Sequence, residues 1–276
     1  MRILLMGLMC ALLCCAPEVM DAASAACRLF VEAVLPGLLP YMVLSLMLAS
    51  RFSGRIPAWG MLLLGWGGGS PAGVRLLALR EDMPRRQRIG LAAATATMSP
   101  MFLLGTVGGW LASPGAGLAV LVSVLAGGGL TGLAAYALAG QGRAAGETPP
   151  PPPVPLTFGM AVDQAARTML LVCGTMVMLR IFARLAEIMF PAWALVLTTL
   201  LEVTTGVQAI ASLPLPLALR TALAAGATGF GGMAVVMQNR ALYPARFMPL
   251  AAQLGWQALH GGLSFLLALG LMQLAG

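Results

Sequence analysis

The chain has 276 residues, of which 59% are hydrophobic and only 9% are charged, and its mean hydropathy is +0.91. A soluble globular domain is about a quarter charged, and a core of this size cannot hide so much apolar surface, so the chain is expected in lipid. This composition excludes a soluble enzyme, a nucleic-acid-binding protein and a disordered chain.

The charged residues also fit a membrane protein. All sixteen basic residues are arginine, and with nine acidic residues they give a net charge of +7. Such a surplus is typical of cytoplasmic loops that meet anionic lipid headgroups. The five cysteines and the single histidine show no metal-ligand spacing, so we expect no metal site, no cofactor and no disulfide scaffold.

The N-terminal segment begins with Arg2 and an apolar run that extends to about Ala16. A signal peptide is one interpretation, but residues 14–17 (CCAP) lack the small-residue pattern of a cleavage site. We expect a retained membrane span in residues 1–27.

Eight further apolar stretches follow, and each is about 20 residues long, which is the length that crosses about 30 Å of hydrocarbon. They lie near residues 30–50, 57–79, 89–111, 115–139, 168–190, 192–213, 217–238 and 248–273.

Four of these stretches contain residues that interrupt a helix. Residues 65–71 (GWGGGSP) and 99–100 (SP) combine the entropy cost of glycine with the missing N–H of proline. Residues 204–206 (TTG) and 228–232 (TGFGG) are two further weak points. Unpaired backbone at membrane depth is tolerated only inside protein or beside a wet cavity, so the four breaks predict a binding site.

The order of the breaks indicates an internal duplication. The two breaks of the first half, at Pro71 and Pro100, have nearly the same spacing in sequence as the two breaks of the second half, at Gly206 and Gly231. We predict an all-α polytopic membrane protein with two inverted repeats, whose broken or re-entrant helices surround a site near the membrane midplane. Its parts are an N-terminal span (1–27), a first repeat (28–140), a proline-rich linker (141–157) and a second repeat (158–276).

The arginines predict the orientation. The loop from Arg75 to Arg88 carries five arginines against two acidic residues, which places it in the cytoplasm. If the first broken stretch is a re-entrant hairpin that enters from inside, further arginines join this side, namely Arg51, Arg55, Arg143, Arg240 and Arg246. A minority then lies outside, namely Arg28, Arg180, Arg184 and Arg220.

Helix ends and hydroxyl groups at the breaks form the candidate site. A half-helix that begins at Pro71 or Pro100 points its backbone N–H groups and its positive dipole end at the cavity, where they favour carboxylates. Each nearby hydroxyl can bind substrate or can instead donate to a carbonyl of its own helix. The hydroxyl-bearing candidates are Ser70, Thr97, Ser99, Thr204, Thr205 and Thr228.

Glu202 is the charged residue that most clearly indicates function, because it lies within an apolar stretch. An ionised carboxylate there is costly, so Glu202 should be neutral, bound to a cation, or paired with an arginine such as Arg75. We expect it to couple transport to protons or cations, and a purely structural ion pair is the alternative. Arg75 itself either attracts an acidic substrate or anchors the cytoplasmic loop.

Three other polar features have structural interpretations. Asp163 and Arg167 are four residues apart and predict an i,i+4 ion pair. His260 is expected either to have its hydrogen bonds satisfied within the core or to contact another helix, rather than to act in catalysis. Residues 68–72 (GGSPA) lack the G-x-S-x-G form of a nucleophile turn, so an intramembrane protease is rejected and no enzyme activity is expected.

Five motifs at and around these breaks resemble a known family. They are VLPGLLPYMVLSLML (34–48), GGSPAGVRLLALRE (68–81), TMSPMFLLGTVGG (97–109), LLEVTTG (200–206) and GATGFGGMAVVMQ (226–238). In this order, from about residue 28 onward, the chain resembles the sporulation integral membrane protein YlbJ family (stage V sporulation protein SpoVV-like), within the nucleoside-recognition or Gate domain group. The matching positions are Pro71, Gly73, Arg75, Pro100, Gly105, Glu202, Thr204, Gly206, Gly229 and Gly232.

This resemblance implies a multi-pass protein of the bacterial cytoplasmic (inner) membrane or the outer forespore membrane, which moves dipicolinate during sporulation. The chain departs from the family pattern at the presumed site, because Ser70 stands where an aromatic residue is usual, Ser99 replaces asparagine and Arg75 replaces lysine. Gly231 stands in place of a small polar residue. A smaller side chain at position 70 favours a roomier pocket and a different ligand.

We therefore predict a membrane transporter, an exporter of a small, dipicolinate-like anionic solute. The alternatives are a non-transporting gate or scaffold subunit of a sporulation complex, and a nucleoside permease. Scarce aromatic residues near the breaks disfavour the permease. A homo-oligomer or a sporulation membrane partner is left open. The predicted substrate-binding residues are Ser70, Pro71, Gly73, Arg75, Thr97, Ser99, Pro100, Thr204, Thr205, Gly206, Thr228, Gly229, Gly231 and Gly232, with Glu202 as the coupling residue.

Overall fold

A computed structural model describes residues 2–51, 56–78, 83–140, 155–244 and 247–275, and every regular element in these ranges is a helix. Most of the proline-rich linker predicted for 141–157 lies outside these ranges, as do Arg55, Arg80, Arg143 and Arg246.

In its described residues, the first half contains eight helices and two π turns. They are α1 (Arg2–Cys14), α2 (Ala16–Leu29), a π turn (Phe30–Val34), α3 (Leu35–Arg51), α4 (Ala58–Gly68), α5 (Ala72–Ala78), α6 (Arg85–Ala94), a second π turn (Phe102–Val107), α7 (Gly108–Trp110) and α8 (Pro114–Leu138). The helix that carries the second π turn begins at Pro100, because proline fits the first helical position, where its missing N–H costs nothing.

The described part of the second half contains six helices and a short 3₁₀ turn. They are α9 (Phe158–Met189), the 3₁₀ turn (Pro191–Trp193), α10 (Ala194–Leu201), α11 (Val203–Ala211), α12 (Leu217–Phe230), α13 (Gly232–Leu242) and α14 (Leu250–Ala275).

Five helical segments of the described chain are long and apolar enough to cross a membrane. They are Ala16–Arg51, Pro114–Leu138, Phe158–Met189, Leu217–Leu242 and Leu250–Leu274. Large apolar side chains point outward along them, and Leu133, Leu170 and Leu266 are each more than 60% exposed. In water this surface would be strongly unfavourable, so the chain is a multi-pass membrane protein.

The predicted breaks lie between helices, and the second and third lie a few residues before the predicted positions. The first falls at residues 69–71, between α4 and α5, and the second at residues 95–99. The third lies at Glu202, two residues before the predicted TTG, because the Glu202 side chain caps α11, which begins at Val203. The fourth lies at Gly231, whose positive φ of 79° ends α12.

The two halves share one order of elements. A long helix is followed by two broken segments and then by a second long helix, first in α2–α8 and again in α9–α14. The inverted relation between the halves stays a prediction.

Small residues bring the long helices into close contact. A Cβ on Gly132 of α8 would lie 2.5 Å from Cβ of Ala94, and one on Gly229 of α12 would lie 2.5 Å from Oγ of Ser264. Small residues allow such approach in membranes, where packing rather than water exclusion holds helices together. The described part of the chain therefore holds the breaks inside a tightly packed bundle.

Candidate functional site

The first and second breaks contact each other. The backbone N–H of Ser70 donates to the carbonyl of Thr97 over 2.6 Å. Gly69 has a positive φ of 67°, and a Cβ there would lie 2.5 Å from the backbone nitrogen of Ser99. Only glycine fits this close contact between the two breaks, which explains why residue 69 is a glycine.

The third break is organised by the carboxylate of Glu202. This residue is 1% exposed and has extended backbone angles between α10 and α11. Its two carboxylate oxygens accept from the backbone N–H groups of Thr204 over 3.0 Å and of Thr205 over 2.8 Å. Two N–H groups at a helix N-terminus stabilise the negative charge, so Glu202 acts as an N-terminal cap. The ion pair with Arg75 considered above is not formed.

The fourth break packs on the third. A Cβ on Gly232 would lie 3.3 Å from the carbonyl oxygen of Thr199 and 3.3 Å from the backbone nitrogen of Val203. The start of α13 therefore lies directly against the α10–α11 junction.

A hydrogen bond joins the two halves at this point. The hydroxyl of Ser70 donates to the side-chain carbonyl of Asn239 over 2.6 Å, and both residues are buried. We call the four breaks, residues 69–71, 95–99, 202 and 231, the break cluster.

A cavity of about 40 Å³ lies at the break cluster. Its polar lining comes from both halves, and its other walls are apolar residues of the two π turns, the second break, α3, α9, α11 and α13. The polar lining residues are Ser70, Ser99, Glu202, Thr204 and Gln238. The structure thus brings together four residues that the sequence predicted for the site and places them in one cavity.

The other predicted residues lie around the cavity rather than on its surface. Thr228 is fully buried and donates to the carbonyls of Ala224 and Ala225, which is the structural alternative for such a hydroxyl. Thr205 contributes its N–H to Glu202. Gly206 packs on Thr199, and Gly73 packs on Thr95. The remaining members, Pro71, Thr97, Pro100, Gly229, Gly231 and Gly232, form the breaks or pack beside them.

Arg75 points away from the cavity. Its guanidinium donates to the hydroxyl of Thr168 over 2.6 Å and to the carbonyl of Gln164 over 3.4 Å. These contacts tie α5 to α9, so in this conformation Arg75 holds the short helix in place.

Two other predicted contacts are confirmed. Arg167 and Asp163 form the expected ion pair, with Nε and Oδ2 3.0 Å apart, and both side chains are well exposed. His260 contacts α8 through Nε2, which lies 2.9 Å from the carbonyl oxygen of Val124.

The sequence analysis missed Gln238 and Asn239. Gln238 lines the cavity and donates to Thr175 of α9 over 2.9 Å. Asn239 is fully buried beside Ser70. The signal was a pair of amide residues at the end of an apolar stretch, before Arg240, where polar residues usually mark the membrane surface.

In the described residues, no three side chains of His, Cys, Asp or Glu are grouped closely enough to hold a metal ion. The chemistry available at the cavity is therefore that of hydroxyls, amides, one carboxylate and the backbone N–H groups of α11.

Comparison with known proteins adds no identification. No family model, no curated protein and no solved structure matches the chain. The family resemblance stays a prediction, and the function has to be argued from the geometry of the cavity.

Proposed function

We propose that the chain is a transporter that moves a small carboxylate-bearing solute across a membrane, with the cavity at the break cluster as its substrate site. The carboxylate of Glu202 carries this proposal, because it occupies a ready-made carboxylate site at the N-terminus of α11. Helix N-termini next to broken membrane helices are typical binding points for anionic substrates.

In this proposal, the Glu202 carboxylate competes with the substrate carboxylate for the two backbone N–H groups at the start of α11. A solute carboxylate that replaced it would receive the same two N–H groups, and the hydroxyls of Ser70 and Ser99 line the same cavity. Because two carboxylates cannot share these donors, Glu202 has to leave or become protonated when the solute binds. This exchange makes Glu202 the coupling residue.

In this proposal, the described conformation is a closed state of the transport cycle. A cavity of about 40 Å³ holds only water, whereas pockets for small molecules have volumes of about 300 Å³ or more. Admission of the solute requires the break cluster to separate, and the short helices α5, α11 and α13 begin at the breaks where this movement can occur.

Dipicolinate is the first solute to test. It is a planar dianion that suits the N–H donors of a helix end, and the family resemblance implies export of this solute during sporulation from the cytoplasmic membrane. The family assignment and the sporulation role are parts of this proposal.

The test measures uptake of labelled dipicolinate into proteoliposomes. Wild-type protein is compared with Glu202→Gln and with Glu32→Gln, which neutralises an exposed carboxylate on the π turn. We expect flux in the wild type and the control and loss of flux in Glu202→Gln, with no flux of a labelled nucleoside. Absence of dipicolinate flux from folded wild-type protein contradicts the proposal and favours a gate or scaffold subunit.

A further inference from the structure

A second polar feature lies on α14, outside the cavity. Gln253, Gln257, His260 and Ser264 follow one another at intervals of four, three and four residues, so they share one face of the helix. Each is at most 3% exposed. Polar residues on a membrane helix face the protein interior, where their hydrogen-bonding groups require partners.

The described residues satisfy only part of this face. Gln253 donates through Nε2 to the carbonyl of Val236 over 3.2 Å, and Ser264 donates to the carbonyl of His260 over 2.8 Å. Oε1 of Gln253, both polar side-chain atoms of Gln257 and Nδ1 of His260 have no partner among the described residues.

Among the described residues, hydrogen-bond partners are also lacking at Thr97 of the break cluster and at Asn239, which contacts Ser70 of that cluster. Oγ1 of Thr97 and Nδ2 of Asn239 are buried without a partner in the described chain. A Cβ on Gly128 of α8 would lie 3.1 Å from Cγ2 of Thr97 and 3.3 Å from Nε2 of His260, so both side chains pack against the same glycine of α8.

On the α13 side, Asn239 is three residues after Val236, whose carbonyl binds Gln253. The polar face of α14 and the break cluster are therefore neighbours along this side as well.

The unpartnered atoms include both hydrogen-bond donors and acceptors, which favours water over a metal cation as their partner. A metal cation needs oxygen acceptors and is repelled by N–H groups, whereas these six atoms include both amide donors and oxygen or nitrogen acceptors. Water donates and accepts, and a buried water makes about two to four hydrogen bonds. Two or three waters, as a rough estimate from that range, would satisfy all six atoms.

The polar face is about half as long as a membrane span, which crosses about 30 Å of hydrocarbon. It begins at Gln253 in the first turn of α14 and ends at Ser264, about 16 Å along the helix axis. The next residue on this face is Ala268, which is apolar and fully buried. The beginning of α14 adjoins Arg240, which donates to the carbonyl of Met248 on the side predicted to be cytoplasmic.

We propose that Gln253, Gln257 and His260 of this face, together with Thr97 and Asn239, bind a chain of water molecules that leads from the predicted cytoplasmic side to the break cluster. In the transport cycle proposed above, on which this second part rests, the chain is the route by which a proton reaches or leaves the site. Each water accepts a proton by forming one O–H bond and passes one on by breaking another, while the side chains hold the waters in line, so no further reactant is consumed.

The water chain is tested without any transport assay. The full chain in lipid nanodiscs is exposed to X-ray pulses, which turn bound water into hydroxyl radicals, and oxidation of each residue is measured by mass spectrometry. His260 and Met42 are equally buried, at 1% and 0% exposed, but Met42 lies in an apolar cluster. We expect several-fold more oxidation of His260 than of Met42, although methionine is intrinsically reactive.

Two variants make this test specific. Gln257→Leu removes two of the free polar atoms and should cause a several-fold loss of His260 oxidation. Ser264→Ala lies on the same face, but its hydroxyl is already used by the carbonyl of His260, so oxidation should stay at the wild-type level. If His260 is as inert as Met42 in the wild type, or if Gln257→Leu changes nothing, the water chain is wrong.

The proton route is tested in proteoliposomes that contain a pH-sensitive dye. We expect the wild type and Ser264→Ala to move protons together with dipicolinate, and Gln257→Leu to lose this proton movement. If the wild type moves no solute but His260 is oxidised, the proposed function fails and the water chain stands. If solute moves while protons do not, the proton route is overturned.

Discussion

Replacing Glu202 should destabilise the protein by an amount that follows from its two hydrogen bonds. The buried carboxylate accepts from two backbone N–H groups, and a hydrogen bond to a charged group contributes about 1.5–3 kcal/mol. Glu202→Gln keeps the shape of the side chain but turns one acceptor into an NH₂ group that opposes a backbone N–H. We expect the free energy of unfolding to fall by about 1.5–3 kcal/mol.

Glu202→Ala removes both acceptors and leaves two buried N–H groups without a partner. Each such group costs about 1–3 kcal/mol, so the expected loss is about 2–6 kcal/mol. Unfolding by sodium dodecyl sulfate in mixed micelles, followed by circular dichroism, measures both values, with Glu32→Gln as the exposed control. If both Glu202 variants unfold within about 0.5 kcal/mol of the wild type, the capping role is refuted.

Three further predictions use the same unfolding assay. Gly69→Ala should cost at least about 1–3 kcal/mol, because φ is 67° and the new Cβ would lie 2.5 Å from the Ser99 nitrogen; unchanged stability would contradict the contact between the breaks. Glu187→Gln should cost about 1–3 kcal/mol, because this carboxylate joins two arginines of α9 to Thr198 of α10, and a neutral result would show that other contacts hold α10. Asp163→Asn should change nothing measurable, because its ion pair is exposed, and a clear loss of stability would show that the pair is shielded by lipid.

The breaks could be predicted from the sequence because glycine and proline act locally. Residues 65–71 and 99–100 contain glycine and proline, which disfavour a continuous helix through their own backbone properties. The third break lies two residues before its predicted position. Its position depends on the Glu202 side chain, which caps α11, and composition alone does not predict that cap.

The contacts between distant segments could not be predicted in the same way. Ser70 and Asn239 are 169 residues apart, and no local pattern relates them. The interhelical contact of His260 was expected, but the polar face around it was missed, although its spacing of four, three and four residues was readable. The two glutamines on the same face as His260 were not predicted to belong to a polar site.

The two π turns determine which side chains form the cavity wall. Each π turn contains one residue more than an α turn would, so every side chain beyond it is rotated by about 100° around the helix axis. Val34 and Leu38, at and after the first turn, and Phe102, in the second, all line the cavity.

Loss of a single residue from either turn would therefore exchange wall residues for residues that now face lipid, while the helices kept their places. A one-residue insertion or deletion at such a turn is a short evolutionary step between two linings, and it can alter selectivity without any substitution at the site itself.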